Sequence, residues 1–240
     1  MFPENRSLIS LKPLTGRHLC QEEYLQSEVT QLLGSSKYSM RLPFTRLEFV
    51  AERPKRQLGM SISGYQPKLS LAIDASGQLD VVTQKAEFIL KPSPEAFPNL
   101  AENEHATMCV MKMLGFDVPP FGLVRFKPNR EEIKEKAFLI RRFDRDKKGL
   151  PIHQEQLDAA MNISEKYGKT QDDGEGYISY ERAGTFLLGT LSESLELKKE
   201  FFQRVLTAYF LGNNDLHLRN FGILHPRHGK YSLAPIYDYV

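Results

Sequence analysis

GNNDLHLRNFGIL, from Gly212 to Leu224, places a carboxylate and a carboxamide, Asp215 and Asn220, five positions apart in one polar segment. The segment joins two apolar elements. Before it, SLELKKEFFQRVLTAYFLG (Ser194–Gly212) sets Leu197, Phe201, Val205 and Tyr209 on one helical face and stops on a glycine. After it, the chain enters a short apolar strand, and HPRHGK (His225–Lys230) turns it into a second strand. Asp215 can accept a proton from a hydroxyl, while Asn220 offers a neutral oxygen to a cation. A second carboxylate, Asp238, follows the strand pair in LAPIYDYV. Asn and Asp are also common turn residues, so the Asp–Asn pair taken alone reads first as a capped loop.

Working outward, the middle of the chain is richer in strands. GMSISGYQPKLSLAI (Gly59–Ile73) reads as two short strands joined by a turn that carries Ser61 and Ser63. Leu69, Leu71 and Ile73 alternate with Ser70 and Ala72, the pattern of a half-buried strand. DASG (Asp74–Gly77) is a turn, and AEFILK (Ala86–Lys91) is a strand stopped by Pro92. NLAENEHATMCVMKMLG (Asn99–Gly115) is a helix on which Glu104 shares a face with Met108 and Met111. KAFLIRRFD (Lys136–Asp144) gives a further strand, and TQDDGEGY (Thr170–Tyr177) a polar loop. CQEEYLQSEVTQLLG (Cys20–Gly34) reads as a short helix, the only clear pattern before Leu58. The expected fold is α+β and two-lobed, strand-rich first and helical after. Its expected divisions are an N-terminal extension over 1–57, an N-lobe over 58–140 and a C-lobe over 141–240.

Composition narrows the function classes. With 41% hydrophobic and 26% charged residues, the 240-residue chain is that of an ordinary soluble globular protein. A net charge of +2 gives no bulk attraction to nucleic acid or membranes, and the basic run RRFDRDKK is interleaved with aspartates. No apolar run approaches the roughly 18–20 residues of a spanning helix. Cys20 and Cys109 are too few and too far apart for a disulfide framework or a metal motif, so a cytoplasmic location is expected. Cys109 falls in an apolar helical pattern, where a buried thiol is expected.

Lys91 ends an apolar strand, from which a cation can reach the α- and β-phosphates of a nucleotide. Glu104, on the following helix, is placed to fix that cation. The order is a serine-bearing loop, a lysine, a helical glutamate, a linking strand, Asp-x-x-x-x-Asn and an aspartate. That is the order of a phosphoryl-transfer site, and protein kinases place a base and a magnesium-binding amide at the Asp215–Asn220 spacing. A kinase-like binding module without phosphoryl transfer remains the alternative. A nuclease using His217 and Asp215 is weaker, because no further histidine ligands accompany them.

Several motifs together resemble the HipA family of serine/threonine kinases, toxins of bacterial toxin–antitoxin systems. SISGYQPKLSL resembles that family's S-x-x-G-x-Q-x-K loop, FILKPS its lysine-bearing strand and FLIRRFDRD its hinge. AENEHATMCVMKMLGFDVPP, HQEQLDAA, NNDLHLRNFGIL and LAPIYDYV resemble further family segments, so the likeness runs from about Leu58 to Val240. The short region before Leu58 and the serine pair are most like HipT, the shortened kinase of three-component HipBST systems. The family continues beyond the position of Asp238, so the C-terminal part of the fold is expected to be cut short here.

The resemblance implies use of ATP and Mg2+, with Asp215 as catalytic base and Asn220 and Asp238 as metal ligands. Lys91 and Glu104 would serve ATP binding, with His217 and Arg219 near phosphate and Arg141 to Phe143 near adenine. Arg141 stands where the family has an acidic residue. Ser61, Ser63, Gly64, Gln66 and Lys68 would form the phosphate loop, with Ser61 and Ser63 as autophosphorylation sites. The implied target is an aminoacyl-tRNA synthetase. The implied partners are a HipS-like small protein and a HipB-like DNA-binding protein, with no direct nucleic-acid or membrane contact by this chain.

Overall fold

The structure, a computed structural model, describes residues 5–14, 19–20, 23–56, 67–128, 135–146, 148–164, 166–167 and 178–240; for 19, 20 and 52–56 it describes the backbone alone. The chain divides into two compact units. The first is formed by Met1–Cys109 with Pro119–Arg142, and the second by Val110–Val118 with Phe143–Val240.

In the first unit, β1 (Leu19–Cys20) pairs with β2 (Tyr24–Leu25), which runs directly into α1 (Gln26–Leu33). The helix expected from Cys20 therefore starts only at Gln26, because Tyr24 and Leu25 are extended and paired. It does end at Gly34, whose φ of 98° suits a residue without a Cβ. A second helix, α2 (Arg46–Arg56), went unread in the sequence although a capping box opens it. The Glu48 amide donates to Thr45 Oγ1 at 3.2 Å, and the Thr45 amide donates back to Glu48 Oε2 at 2.6 Å.

The main sheet follows as β3 (Leu69–Ile73), β4 (Leu79–Val81), β5 (Phe88–Pro92), then β6 (Phe121–Arg125) and β7 (Lys136–Arg141), with α3 (Leu100–Met113) between β5 and β6. Its strand order is β4-β3-β5-β7-β6 and every neighbouring pair is antiparallel. The β3–β4 turn is set by Asp74, whose Oδ1 accepts the Ser76 and Gln78 amides at 2.8 and 2.9 Å. Pro92 ends β5 from inside it, opposite Ala137 on β7. The β3 pairing stops at Leu90, so the missing proline N–H leaves no gap on that side. Leu71, Phe88, Leu90, Leu123, Phe138 and, from α1, Val29 and Leu32 are enclosed in the core.

His105 on α3 lies in the same interior, with Nε2 2.9 Å from the Ile9 carbonyl oxygen and its ring edge-on to Phe121. Burial pulls its pKa down to about 4, against the opposing pull of the Ile9 carbonyl. The folded chain therefore resists a proton that the unfolded chain takes up near 6.5. This contribution to stability is whole above pH 6.5 and is lost as the pH falls from there to about 4. Denaturant melts across that window should show a loss of about 3 kcal/mol from this group, and His105→Phe should remove that part of the slope.

In the second unit, β8 (His153–Gln156) leads into the short α4 (Leu157–Ala160); α5 (Tyr180–Leu191) and α6 (Leu195–Phe210) follow. Ser179 and Ser194 cap these last two helices by accepting the Arg182 and Leu197 amides. A 3-10 turn (Leu218–Asn220) then opens into β9 (Gly222–His225) and β10 (Ser232–Leu233), in a sheet of order β10-β9-β8. The inner face of α6 is not the one expected. Phe201 is inside, but Tyr209 is 79% exposed, and Arg204 and Ala208 take the buried positions instead. Arg204 is accommodated because its Nη1 donates to the Ala234 carbonyl at 2.9 Å and its Nη2 to Glu200. No helix among the described residues is long and apolar enough to cross a membrane.

Candidate active site

The candidate residues fall into two clusters, one in each unit. In the first unit, alternation along β5 turns Lys91 to the opposite sheet face from Phe88 and Leu90. There α3 presents Glu104, and Lys91 Nζ donates to Glu104 Oε1 at 2.5 Å. The ammonium also lies 5.6 Å from the centre of the Phe138 ring. Lys91 is 3% exposed and Glu104 0%, so both charges have been taken out of water. Such a pair returns little net stability, because desolvation offsets the attraction. What it provides is one fixed position for an ammonium group.

At the end of β7 the Arg141 amide donates to the Pro120 carbonyl and the Arg142 amide to the Glu87 carbonyl. The Arg141 guanidinium stays with its own unit, 3.7 Å from Glu87 and 5.7 Å over the Phe88 ring. Lys68 is half-buried just ahead of β3. Ser61, Ser63, Gly64 and Gln66 lie outside the described residues.

In the second unit Asp215 sits at the end of the α6 turn, where its amide donates to Asn213 Oδ1 at 3.1 Å. Its Oδ1 accepts from Lys166 Nζ at 2.8 Å and from Tyr167 Oη at 2.6 Å, and His217 Nε2 lies 3.9 Å from Oδ2. Partial burial raises the Asp215 pKa, but the Lys166 and Tyr167 hydrogen bonds and the nearby positive charge outweigh it and hold the carboxyl below the usual range. His217 is pulled down, mainly by its own burial, and its ring stands edge-on to Tyr167. Sequence reading missed Lys166 and Tyr167, which lie almost fifty residues from Asp215 in a stretch without periodicity.

Asn220 is 3% exposed and held from both ends. Its Oδ1 accepts the His217 amide at 2.7 Å and its Nδ2 donates to the Asp238 carbonyl at 3.0 Å. Asp238 has a φ of 57°, a left-handed backbone that aspartate tolerates better than most residues. The tie to Asn220 keeps that strained residue in place. One lone pair of Asn220 Oδ1 and the Asp238 carboxylate are hard oxygen donors, a set that fits Mg2+ and not a soft metal. Phe143 and Tyr237 stack with ring centres 5.2 Å apart.

Arg219, expected near phosphate, is held by its neighbours in the second unit. Its Nε donates to Asp158 Oδ2 at 2.6 Å, and its carbonyl accepts from Gln156 Nε2 and Tyr237 Oη. It thereby ties α4 to the loop. Gly222 permits this packing, because a Cβ there would fall 2.8 Å from Gln154 Nε2 and 3.1 Å from Tyr237 Oη.

The family of HipA-like C-terminal domains matches residues 60–240. A protein of Haemophilus influenzae named as a candidate kinase is 51% identical over 97% of this chain, which spans 67% of that protein. A second protein so named, Y4dM of Sinorhizobium fredii, is 27% identical over 79% of this chain and 46% of its own length. Among solved structures, a chain of the Shewanella oneidensis toxin–antitoxin complex of HipA, HipB and operator DNA matches with a TM-score of 0.60 and 27% identity. That match covers 75% of this chain and 43% of the other. The Helicobacter pylori proinflammatory kinase CtkA matches at a TM-score of 0.51 and 18% identity, over 77% of this chain and 55% of that one, a likeness of fold alone. The chain thus spans about two thirds of one relative and about half, or less, of the others.

Proposed function

The chain belongs to the family of HipA-like C-terminal domains, and from that premise we propose that it transfers the γ-phosphoryl group of ATP to serine or threonine hydroxyls of proteins. The observation that carries this reading is the buried Lys91–Glu104 pair, a costly arrangement with little structural return but a fixed cation for phosphate oxygens. Asp215 accepts the hydroxyl proton and orients the attacking oxygen. Its lowered pKa makes it a weak base that is always ionised near neutral pH, which favours orientation over proton affinity. Asn220 and Asp238 hold Mg2+, which when bound screens the β- and γ-phosphate charges. The Phe143 amide offers the adenine a hydrogen bond, beside the Phe143–Tyr237 stack.

Within that activity, we assign the chain to the toxin side of a toxin–antitoxin system, in the manner of HipT. The matched HipA chain comes from a complex with HipB and operator DNA, which supports a HipB-like partner here. A HipS-like small protein is proposed as a second partner. The net charge of +2 favours DNA contact through that partner and not through this chain. The proposed target is an aminoacyl-tRNA synthetase in the cytoplasm. Ser61 and Ser63 are the proposed autophosphorylation sites; each phosphate would add roughly −1.5 to −2 charges beside the nucleotide phosphates and so restrain activity.

Incubation of the full chain with radiolabelled ATP and Mg2+ tests the reading. Label is expected on the protein itself, and the Ser61→Ala, Ser63→Ala double variant should lose most of it. A wild-type protein that labels neither itself nor any protein of a bacterial extract would instead be a kinase-like binding module.

A further inference from the structure

Three potential metal ligands, His153, Glu155 and His225, lie on one face of the second unit's small sheet and take no part in the proposed phosphoryl transfer. His153 on β8 stands directly opposite His225 on β9. Glu155, two residues along β8, projects on the same side. One ligand atom from each of the three lies within 4.8 Å of the others. We propose that these side chains bind a divalent transition metal, Zn2+ by preference, and so staple β8 to β9.

The spacing fits a shared ion as well as a direct ion pair. His225 Nε2 is 3.2 Å from Glu155 Oε2, yet it is buried and forms no hydrogen bond with a described residue. Around a tetrahedral zinc with bonds of about 2.0–2.1 Å, neighbouring ligand atoms stand about 3.3 Å apart. His153 completes the set from outside. It is exposed, and its ring centre is 5.1 Å from that of His225, so a side-chain rotation can close the remaining gap. The Tyr231 ring, 4.2 Å from the His225 ring, limits where that imidazole can move. Two imidazoles and one carboxylate suit zinc and its neighbours in the transition series, whereas the all-oxygen set of Asn220 and Asp238 suits magnesium. A fourth position is left for water.

The consequence reaches the loop described above. β9 begins two residues after Asn220, and the β8–β9 ladder closes with Gln156 opposite Gly222. Metal across the far end of that ladder would hold both strands in register and steady the Asn220 turn.

Metal-stripped full-length protein, titrated separately with Zn2+ alone and Mg2+ alone by calorimetry and thermal melting, provides the test. We expect one Zn2+ equivalent that raises the melting temperature and that a matched Mg2+ concentration does not mimic. His225→Ala and Glu155→Gln should weaken it by roughly tenfold or more. His153→Ala should do the same and, as an exposed position, leave the metal-free melting temperature unchanged. The proposal is overturned if the wild type takes up no Zn2+. It is also overturned if His153→Ala binds Zn2+ with unchanged stoichiometry and affinity, which would place the ion elsewhere, as at Asp215 and His217.

Discussion

Asp215→Ala is expected to lower the rate of phosphoryl transfer by roughly 10²–10⁴-fold, the usual contribution of a positioned acid–base group. Nucleotide affinity should hardly change, since the proposed contacts to phosphate and metal come from Lys91, Asn220 and Asp238. The loss should therefore sit in kcat. The folded state should tolerate the change, because the Asp215 side chain is half exposed and the Lys166 and Tyr167 groups it releases can turn to water. Its pH dependence carries a sign. The hydrogen bonds from Lys166 and Tyr167 hold the Asp215 carboxyl below 3.8, so the acid limb of the rate profile should lie below the ordinary aspartate range. Lys166→Met removes one of those bonds and a positive charge, and should move that limb upward towards neutral pH. A rate profile in the variant that keeps its acid limb in place would show that Asp215 is not the titrating base.

Glu104→Ala should have the second large effect, and on stability as well as activity. It leaves the Lys91 ammonium, 3% exposed, inside the first unit without its carboxylate, and breaking a buried pair in this way costs about 3–5 kcal/mol. Urea melts would read the loss directly. Lys91→Met together with Glu104→Met replaces both charges by apolar chains of similar length, and such exchanges are often neutral or stabilising. That double variant should therefore melt near the wild-type midpoint while failing to bind ATP. A stable double variant with intact ATP affinity would remove Lys91 from the nucleotide site.

Much of this organisation could be read from residue order, and the failures have physical causes. Both ends of α6 were legible because Ser194 and Gly212 are chemically committed to capping and to a left-handed turn. Its inner face was misjudged because a buried arginine breaks the apolar pattern. Arg204 is inside because Glu200, one helical turn away, and the Ala234 carbonyl, thirty residues away and unmarked in sequence, receive its guanidinium. The same blindness to long-range polar contacts hid Lys166 and Tyr167 beside Asp215, and the pairing of Arg219 with Asp158. The capping box of Thr45 and Glu48 was visible in principle, but it opens a helix, RLEFVAERPKR, whose apolar residues are too few to announce a buried face. Lys91 and Glu104 were legible as a strand end and a helix face. Their complete burial was not, since neither residue type is normally enclosed.

Mass spectrometry of the Gly59–Lys68 peptide, after the full chain has been incubated with Mg2+ and ATP, tests phosphoryl transfer most directly. Phosphate on Ser61 or Ser63 in the wild type, and none in Asp215→Ala treated in parallel, is the predicted result. An unmodified wild-type peptide in a protein that also leaves every extract protein unlabelled would contradict the account. So would equal modification of the wild type and Asp215→Ala.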